Sequence, residues 1–276
     1  MSIAKADFIE GMAKGLAVLE SFDTERQRLN ATLAAQRAGI TRAAARRHLL
    51  TLAHLGYLDT EDGYYWLSPK VLRFSGSYLA SSRLPRALQP TLNRLAAQTQ
   101  QSFSAVVLDA DQVVIVARSV GDGMGSGLLS PSGVARVLAY GLHLGARLPA
   151  HATSTGRVLL ACQSRAAFAA WMRGGDVAGR VAGTKRLLPR LTAHTVTDTK
   201  QFRLLVAQAR EQDYCVARQE HELGVFALAV PLRNMQGTCV AALNVVTTSE
   251  RLEPALLQRE LLPLLVGAAR ELRPLL

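Results

Sequence analysis

The sequence predicts an α+β protein in two parts: a helical unit closed by a short β-hairpin, then a larger domain of antiparallel strands and helices. Three observations predict it. Apolar residues recur at helical spacing within the first 56 residues, punctuated by glycine stops. An Asp62-Gly63 pair then separates two β-prone runs. From residue 84 onward, strand-like and helix-like segments are mixed. A length of 276 residues suits two domains, and a hydrophobic content of 49% supplies core for both and excludes global disorder.

The stretch DFIEGMAKGLAVLESF places Phe8, Met12, Leu16 and Leu19 at helical spacing, which predicts an amphipathic helix ending near Asp23. Asn30 caps a short second helix, ATLAAQRA, which Gly39 stops. Thr41 caps a third helix that Gly56 ends. In it Ala45, Leu49 and Leu52 share a face with Leu55 at the edge, while Ala43, Arg46 and Arg47 lie opposite. Leu50 fits neither side. YLDTEDGYYWL follows as a hairpin turning at Asp62-Gly63.

Three helices, the last two joined by a glycine turn and followed by a hairpin, describe a winged helix-turn-helix over residues 1–67. The helix after the turn enters the major groove and presents its N-terminal residues to base edges. From Arg26 to Leu58 there are six arginines and no acid, and the whole chain carries a formal +11, which suits a polyanion. The residues expected at DNA are Asn30 and Thr32 on the second helix and Thr41, Arg42, Ala44, Arg46 and Arg47 on the third. Tyr64 and Tyr65 of the wing and Lys70 beyond it complete the set. The same fold also serves as a protein-binding module, but that reading leaves the unopposed arginines unexplained.

Pro69 starts a connecting helix expected over residues 68–83. Its apolar positions, Val71, Phe74 and Tyr78 with Leu72 and Leu79, have little core of their own to cover. Self-association is the expectation, and a homodimer would set two reading helices on a two-fold-related DNA site.

In the remainder, 84–276, ALQPTLNRLAAQTQ is helical, and SFSAVVLDA with DQVVIVARSV forms a hairpin turning at Ala110-Asp111. The glycine-rich stretch GDGMGSGLLSPSG (121–133) follows a strand but matches neither GxGxxG nor GxxxxGK[ST], which argues against a nucleotide site. RVLAYGLHLGARLPAHATSTGRVLLA reads as a strand to Tyr140, a connection, and a helix capped by Thr153 or Ser154. A helix start with exposed amides suits a carboxylate, and Ser154 and Thr155 add hydroxyls. Arg136 and His143 could pair with an acid, and Tyr140 could stack on a ring. The alternative is that the hydroxyls only cap the helix and Arg136 is solvated.

Helices are expected near 164–173 and 199–212, then strands with a hairpin at Gln236-Gly237, and a closing helix from Pro254 to Leu276. The loop residues Arg218, Glu220, His221 and Glu222 tempt a catalytic reading. No zincin-spaced second histidine and no GxSxG accompany them, so the expectation is not an enzyme, with Glu220 in a structural ion pair. Asn244 interrupts the apolar run VAALNVV, where it is either satisfied by backbone or faces a ligand. Cys162, Cys215 and Cys239 form no CxxC, so neither a disulfide framework nor a zinc site is expected, and no cofactor. The absence of a long apolar run and of a signal-peptide core gives a cytoplasmic protein with no membrane partner as the expectation.

GLAVLESF, RRHLLTLAHLGYL, YYWLSPKVL, VVLDADQVVIVARS, GARLPAHATSTGRVLLA, RQEHELGVFALAVPL and GTCVAALNVV, in this order, resemble the IclR family of bacterial transcriptional regulators across essentially the whole chain. RLPAHATSTGRVLLA and AALNVVTT look like the branch responsive to protocatechuate, 4-hydroxybenzoate and related β-ketoadipate-pathway acids. The resemblance implies a GAF-like or profilin-like C-terminal effector domain, and dimers that pair into tetramers. Its partners would be a double-stranded DNA operator, a small carboxylic-acid effector and RNA polymerase. By position it implies an effector pocket with Val137, Tyr140 and Leu148 on one wall and Ser154 and Thr155 at a helix start that binds the carboxylate. Ala217, Val225, Ala227, Asn244 and Val246 would lie on the sheet side. The glycine-rich loop looks longer than usual for this branch, and Phe226-Ala227 replaces a more polar pair, which would alter the pocket. A short aliphatic α-keto or α-hydroxy acid is the rival effector, and an enzyme with an appended DNA-binding domain is the rival class.

Overall fold

The computed structural model describes residues 4–23, 26–119, 143–174, 186–248 and 256–276. The chain divides into two compact units, Met1–Ser82 and Arg83–Leu276. Arg136, Val137, Tyr140, the glycine-rich loop at 121–133 and the start of the closing helix at Pro254 lie outside the described residues.

The first unit runs α1 (Glu10–Leu19), α2 (Ala31–Ala38), α3 (Arg42–His54), β1 (Leu58–Glu61), β2 (Tyr64–Leu67), a 3-10 turn at Pro69–Val71 and α4 (Leu72–Ser81). Its core gathers Val18, Leu29, Ala34, Ala45, Leu49, Leu58 and Tyr65. The Asn30 side chain accepts the N–H groups of Thr32 and Leu33 to open α2, and Gly39 closes it in the left-handed conformation at φ 65°. The Thr41 hydroxyl accepts the N–H of Ala44 to open α3. Asp62 and Gly63 both take positive φ, 51° and 77°, as a type I′ hairpin requires.

Two expectations need correcting here. Helix α1 stops at Leu19 rather than near Asp23, and the Ser21 hydroxyl turns back onto the Val18 carbonyl. The stripe of Phe8, Met12 and Leu16 is exposed, because α1 meets α2 and α3 through its Val18 side. Leu50 is exposed too, one position past buried Leu49 and outside the core stripe.

The second unit begins with α5 (Arg83–Thr99), followed by β3 (Ser102–Asp109), β4 (Gln112–Arg118), β5 (Arg147–Pro149), a 3-10 turn at Ala150–Ala152, α6 (Ser154–Cys162) and α7 (Arg165–Met172). Then come α8 (Thr199–Gln212), β6 (Cys215–Arg218), β7 (Val225–Arg233), β8 (Cys239–Thr248), a π-helical turn at Leu257–Leu261 and α9 (Leu262–Leu272). Among the described residues the strands form one antiparallel sheet in the order β5-β4-β3-β8-β7-β6.

The period-2 pleat sorts the strand residues to two faces. Phe103, Ala105, Phe226, Leu228, Leu243 and Val245 pack against Leu88, Leu92 and Leu95 of α5 and Leu265 and Leu272 of α9. On the other face Val106, Val113, Ile115, Ala229 and Ala242 meet Leu159 and Leu160 of α6, with Phe168, Trp171 and Phe202 behind them. Phe226 therefore lies on the α5 side, and the expectation that both members of Phe226-Ala227 reshape a pocket holds in position for Ala227 alone.

Candidate DNA interface and ligand cavity

In the first unit Arg42, Arg46 and Arg47 are exposed on α3 and make no ion pair among the described residues. Two of the other arginines are not unopposed: Arg28 lies 3.9 Å from Glu61 and over the Trp66 ring, and Arg37 pairs with Asp23. Thr32 and Tyr64 are exposed, and Ala44 is half-buried. Asn30 and Thr41 are spent on capping. Tyr65, expected at DNA, is instead buried at 7% exposure, because its place in β2 turns it to the core and its backbone bridges Leu29. The Lys70 ammonium donates to the Leu55 carbonyl at 2.6 Å, at the C-terminal end of α3, and sits over the Tyr57 ring. Lys70, expected at DNA, is instead engaged at the end of α3, whose last carbonyls have no intrahelical donor.

In the second unit a cavity of about 130 Å³ opens between α6 and the sheet. Its construction starts at the helix. Thr153, not Ser154, is the N-cap: its hydroxyl accepts the N–H of Gly156 at 3.1 Å. The N–H groups of Ser154 and Thr155 are left at the cavity end of the helix, as helix geometry requires of a first turn. The Ser154 Oγ is buried and has no hydrogen-bond partner among the described residues. A buried hydroxyl without a partner is costly unless something else satisfies it. Gly156 explains how the helix start is held in place. A Cβ there would lie 2.1 Å from the Ala150 carbonyl oxygen, so only glycine allows α6 to seat on the preceding 3-10 turn.

The sheet contributes side chains in register. Ser104 stands opposite Asn244, Val246 opposite Ala227, and Ala227 opposite Ala217, all on the α6 side. The Ser104 hydroxyl donates to Asn244 Oδ1 at 2.6 Å, so the oxygen of this amide is satisfied by a neighbouring strand's side chain on the cavity wall. Val106, Ile115, Leu148 and Val225 make the rest of the wall largely apolar. The structure thus brings together Leu148, Ser154, Thr155, Ala217, Val225, Ala227, Asn244 and Val246. His143 is exposed and does not line the cavity.

The loop between β6 and β7 closes one side with Glu220, His221 and Glu222. Glu220 is buried and clamps Arg157 of α6 with both carboxylate oxygens, the Nη1 to Oε1 bond being 2.6 Å. It also accepts the Val196 N–H, while its carbonyl accepts the Thr195 hydroxyl at 2.7 Å. Burial holds the His221 imidazole below its ordinary pKa, with the nearby His151 adding to the effect, so it is neutral near pH 7. Burial pushes the Glu222 carboxyl above its ordinary range. Sequence reasoning singled out this loop without a use for His221 or Glu222, and it missed Ser104, Val106 and Ile115 altogether. Only the alternation of β3 and β4 pointed to them, and alternation cannot say which face holds a cavity. Among the described residues no cluster of histidine, cysteine or carboxylate side chains fits a metal ion, and no helix is long and apolar enough to cross a membrane.

A basic helix exposed beyond a glycine turn, with a β-hairpin wing, and a separate domain with a small cavity define a ligand-responsive DNA-binding regulator. Residues 11–62 match the IclR helix-turn-helix domain, and residues 76–273 match the bacterial transcriptional regulator IclR C-terminal domain. The chain belongs to the IclR family of bacterial transcriptional regulators, which are not enzymes.

It is 49% identical, over 99% of its length and 94% of the relative's, to the p-hydroxybenzoate hydroxylase transcriptional activator of Acinetobacter baylyi. Among solved structures, its second unit resembles a double mutant of the PobR inducer-binding domain from Acinetobacter in complex with 3-hydroxybenzoic acid. That match has 44% identity and a TM-score of 0.59, covering 70% of this chain and 98% of that one. An IclR homologue from Microbacterium hydrocarbonoxydans complexed with 4-hydroxybenzoate matches at 25% identity and TM-score 0.67, covering 96% and 98% of the two chains.

Proposed function

We propose that this regulator senses a hydroxylated aromatic monocarboxylic acid in the cavity of its second unit, and that occupancy changes how well a dimer fits its operator. The observation that carries the reading is the buried Ser154 Oγ, without a hydrogen-bond partner among the described residues, beside the first amides of α6 and walled by apolar side chains. Amides at a helix start and a hydroxyl accommodate a carboxylate, and Val106, Ile115, Leu148 and Val225 accommodate a ring. The volume suits one small molecule, well below the roughly 300 Å³ at which drug-sized pockets begin. Relatives bound to 3- and 4-hydroxybenzoate support the same class. The apolar walls favour it over a short α-keto acid, which would leave them unfilled.

In this reading Arg42, Arg46 and Arg47 meet phosphates or guanine, with Thr32 and Tyr64 nearby on the same unit. The exposed faces of α1 and α4, which carry Met12, Leu16, Leu72 and Tyr78, serve self-association. Activation would pass through RNA polymerase in the cytoplasm. An effector needs to bind one DNA-fitting geometry better than the other by only about 1–3 kcal/mol.

A thermal-shift panel tests the effector. Hydroxybenzoates are expected to raise Tm, and Ser154→Ala is expected to weaken their binding about tenfold. Stabilisation by glyoxylate or pyruvate alone overturns the proposal.

A further inference from the structure

We propose that His221 and Glu222 form a second polar subsite in this cavity, which takes the ring hydroxyl of the acid and selects hydroxylated monocarboxylates over benzoate and over dicarboxylates. The inference rests on the reading of the helix start as the carboxylate site.

Both side chains line the cavity, and neither makes a hydrogen bond with a described residue. Among the described residues Glu222 is tied down through its backbone carbonyl alone, which accepts the Val225 N–H. Their neighbour Glu220 behaves in the opposite way, with both oxygens taken by Arg157 and one also by the Val196 N–H. The loop is therefore anchored by Glu220, and His221 and Glu222 are not needed to anchor it. Other bonds fix its shape as well. Gln219 takes a left-handed φ of 57°, and its side-chain oxygen accepts the Gly224 N–H at 3.0 Å. A loop held in this way, presenting to a largely apolar cavity two polar side chains without a hydrogen-bond partner among the described residues, is arranged for a ligand's polar group.

The chemistry sets what that group is. A neutral imidazole has one acceptor and one donor nitrogen, and a carboxylate accepts only. A phenolic hydroxyl donates to either. Two adjacent ring hydroxyls could engage both, one to the imidazole and one to the carboxylate. A second carboxylate on the ligand would meet the like charge of Glu222. A bare ring would leave both loop groups desolvated and unpaired, which is how a site built for a hydroxyl rejects the analogue lacking one.

Calorimetric titration of the full-length protein tests this with benzoate, 3- and 4-hydroxybenzoate, protocatechuate and terephthalate. The wild type is expected to bind at least one hydroxylated acid about tenfold or more tighter than benzoate. In His221→Leu or Glu222→Gln that ratio is expected to fall towards one, because the hydroxylated acids weaken while benzoate, relieved of an unpaired loop group, binds at least as tightly as to the wild type. Glu222→Gln is also expected to admit terephthalate. A wild type that binds benzoate as tightly as every hydroxylated acid overturns the proposal whatever the variants do. So do variants that keep the wild-type ratio, or that weaken benzoate and hydroxybenzoates equally at unchanged Tm. In these outcomes benzoate binding to the wild type still supports the helix-start reading. A wild type that binds no aromatic acid removes both.

Discussion

Four residues around α6 carry a disproportionate share of what this protein does. Gly156 is there because backbone, not a flexible side chain, occupies the space a Cβ would need. Gly156→Ala is expected to cost about 3 kcal/mol or more, read as a fall in Tm and a loss of acid binding together. Arg157 and Glu220 form a buried pair whose separate halves would be stranded charges. Glu220→Gln is expected to destabilise by about 3–5 kcal/mol in denaturant titration. His151 is buried, its Nε2 3.0 Å from the Pro189 carbonyl oxygen. Burial first, and then the positive charges of Arg157 and Arg186, hold it below its ordinary value against the opposing pull of Glu220 and of that carbonyl. The unfolded chain therefore takes up this proton more readily than the folded one. The His151 contribution is complete above about pH 6.5 and is lost progressively as pH falls from there towards the folded value. Wild-type Tm should drop between pH 7 and 5.5 more steeply than that of His151→Asn.

Helices and strands set which of these residues can act. On α3, the core takes Ala45 and Leu49, which leaves Arg42, Arg46 and Arg47 outward. Arg46→Ala and Arg47→Ala are each expected to reduce the salt dependence of operator binding by about one unit of slope, measured by gel shift at rising salt. An unchanged slope removes that arginine from the phosphate contacts. The recognition helix was legible because its cap, its apolar stripe and its glycine stop are all local signals. Ser154 and Thr155 were legible for the same reason. Tyr64 and Tyr65 show where local reading stops: the two are adjacent and chemically alike, and only the register Glu61↔Tyr64 and Thr60↔Tyr65 puts one in solvent and the other in the core.

At the scale of the whole molecule, two independently packed units separate DNA reading from ligand sensing. The proposed self-association belongs at this scale too. Leu72 and Tyr78 on α4 are 64% and 48% exposed, more than a lone monomer gains from leaving open. The double variant Leu72→Glu, Tyr78→Glu is expected to shift the protein towards monomer in sedimentation and to weaken operator binding, with acid binding by the second unit retained. A variant that sediments as the wild type places the dimer contact elsewhere.

By itself the sequence determined the class of each part: helical period, caps, glycine stops and the Asp-Gly turn act over fewer than about twenty residues, so they are written where they operate. Resemblance carried the sheet residues Ala217, Val225, Ala227, Asn244 and Val246 to their positions in the cavity wall. The tertiary structure alone decided that Ser104 faces Asn244 across 140 residues of chain, that Phe226 turns away while Ala227 turns in, and that Glu220 is spent on Arg157. These are matters of strand register and helix seating. A one-residue slip in strand register would move every such strand side chain to the opposite face without changing a single local signal.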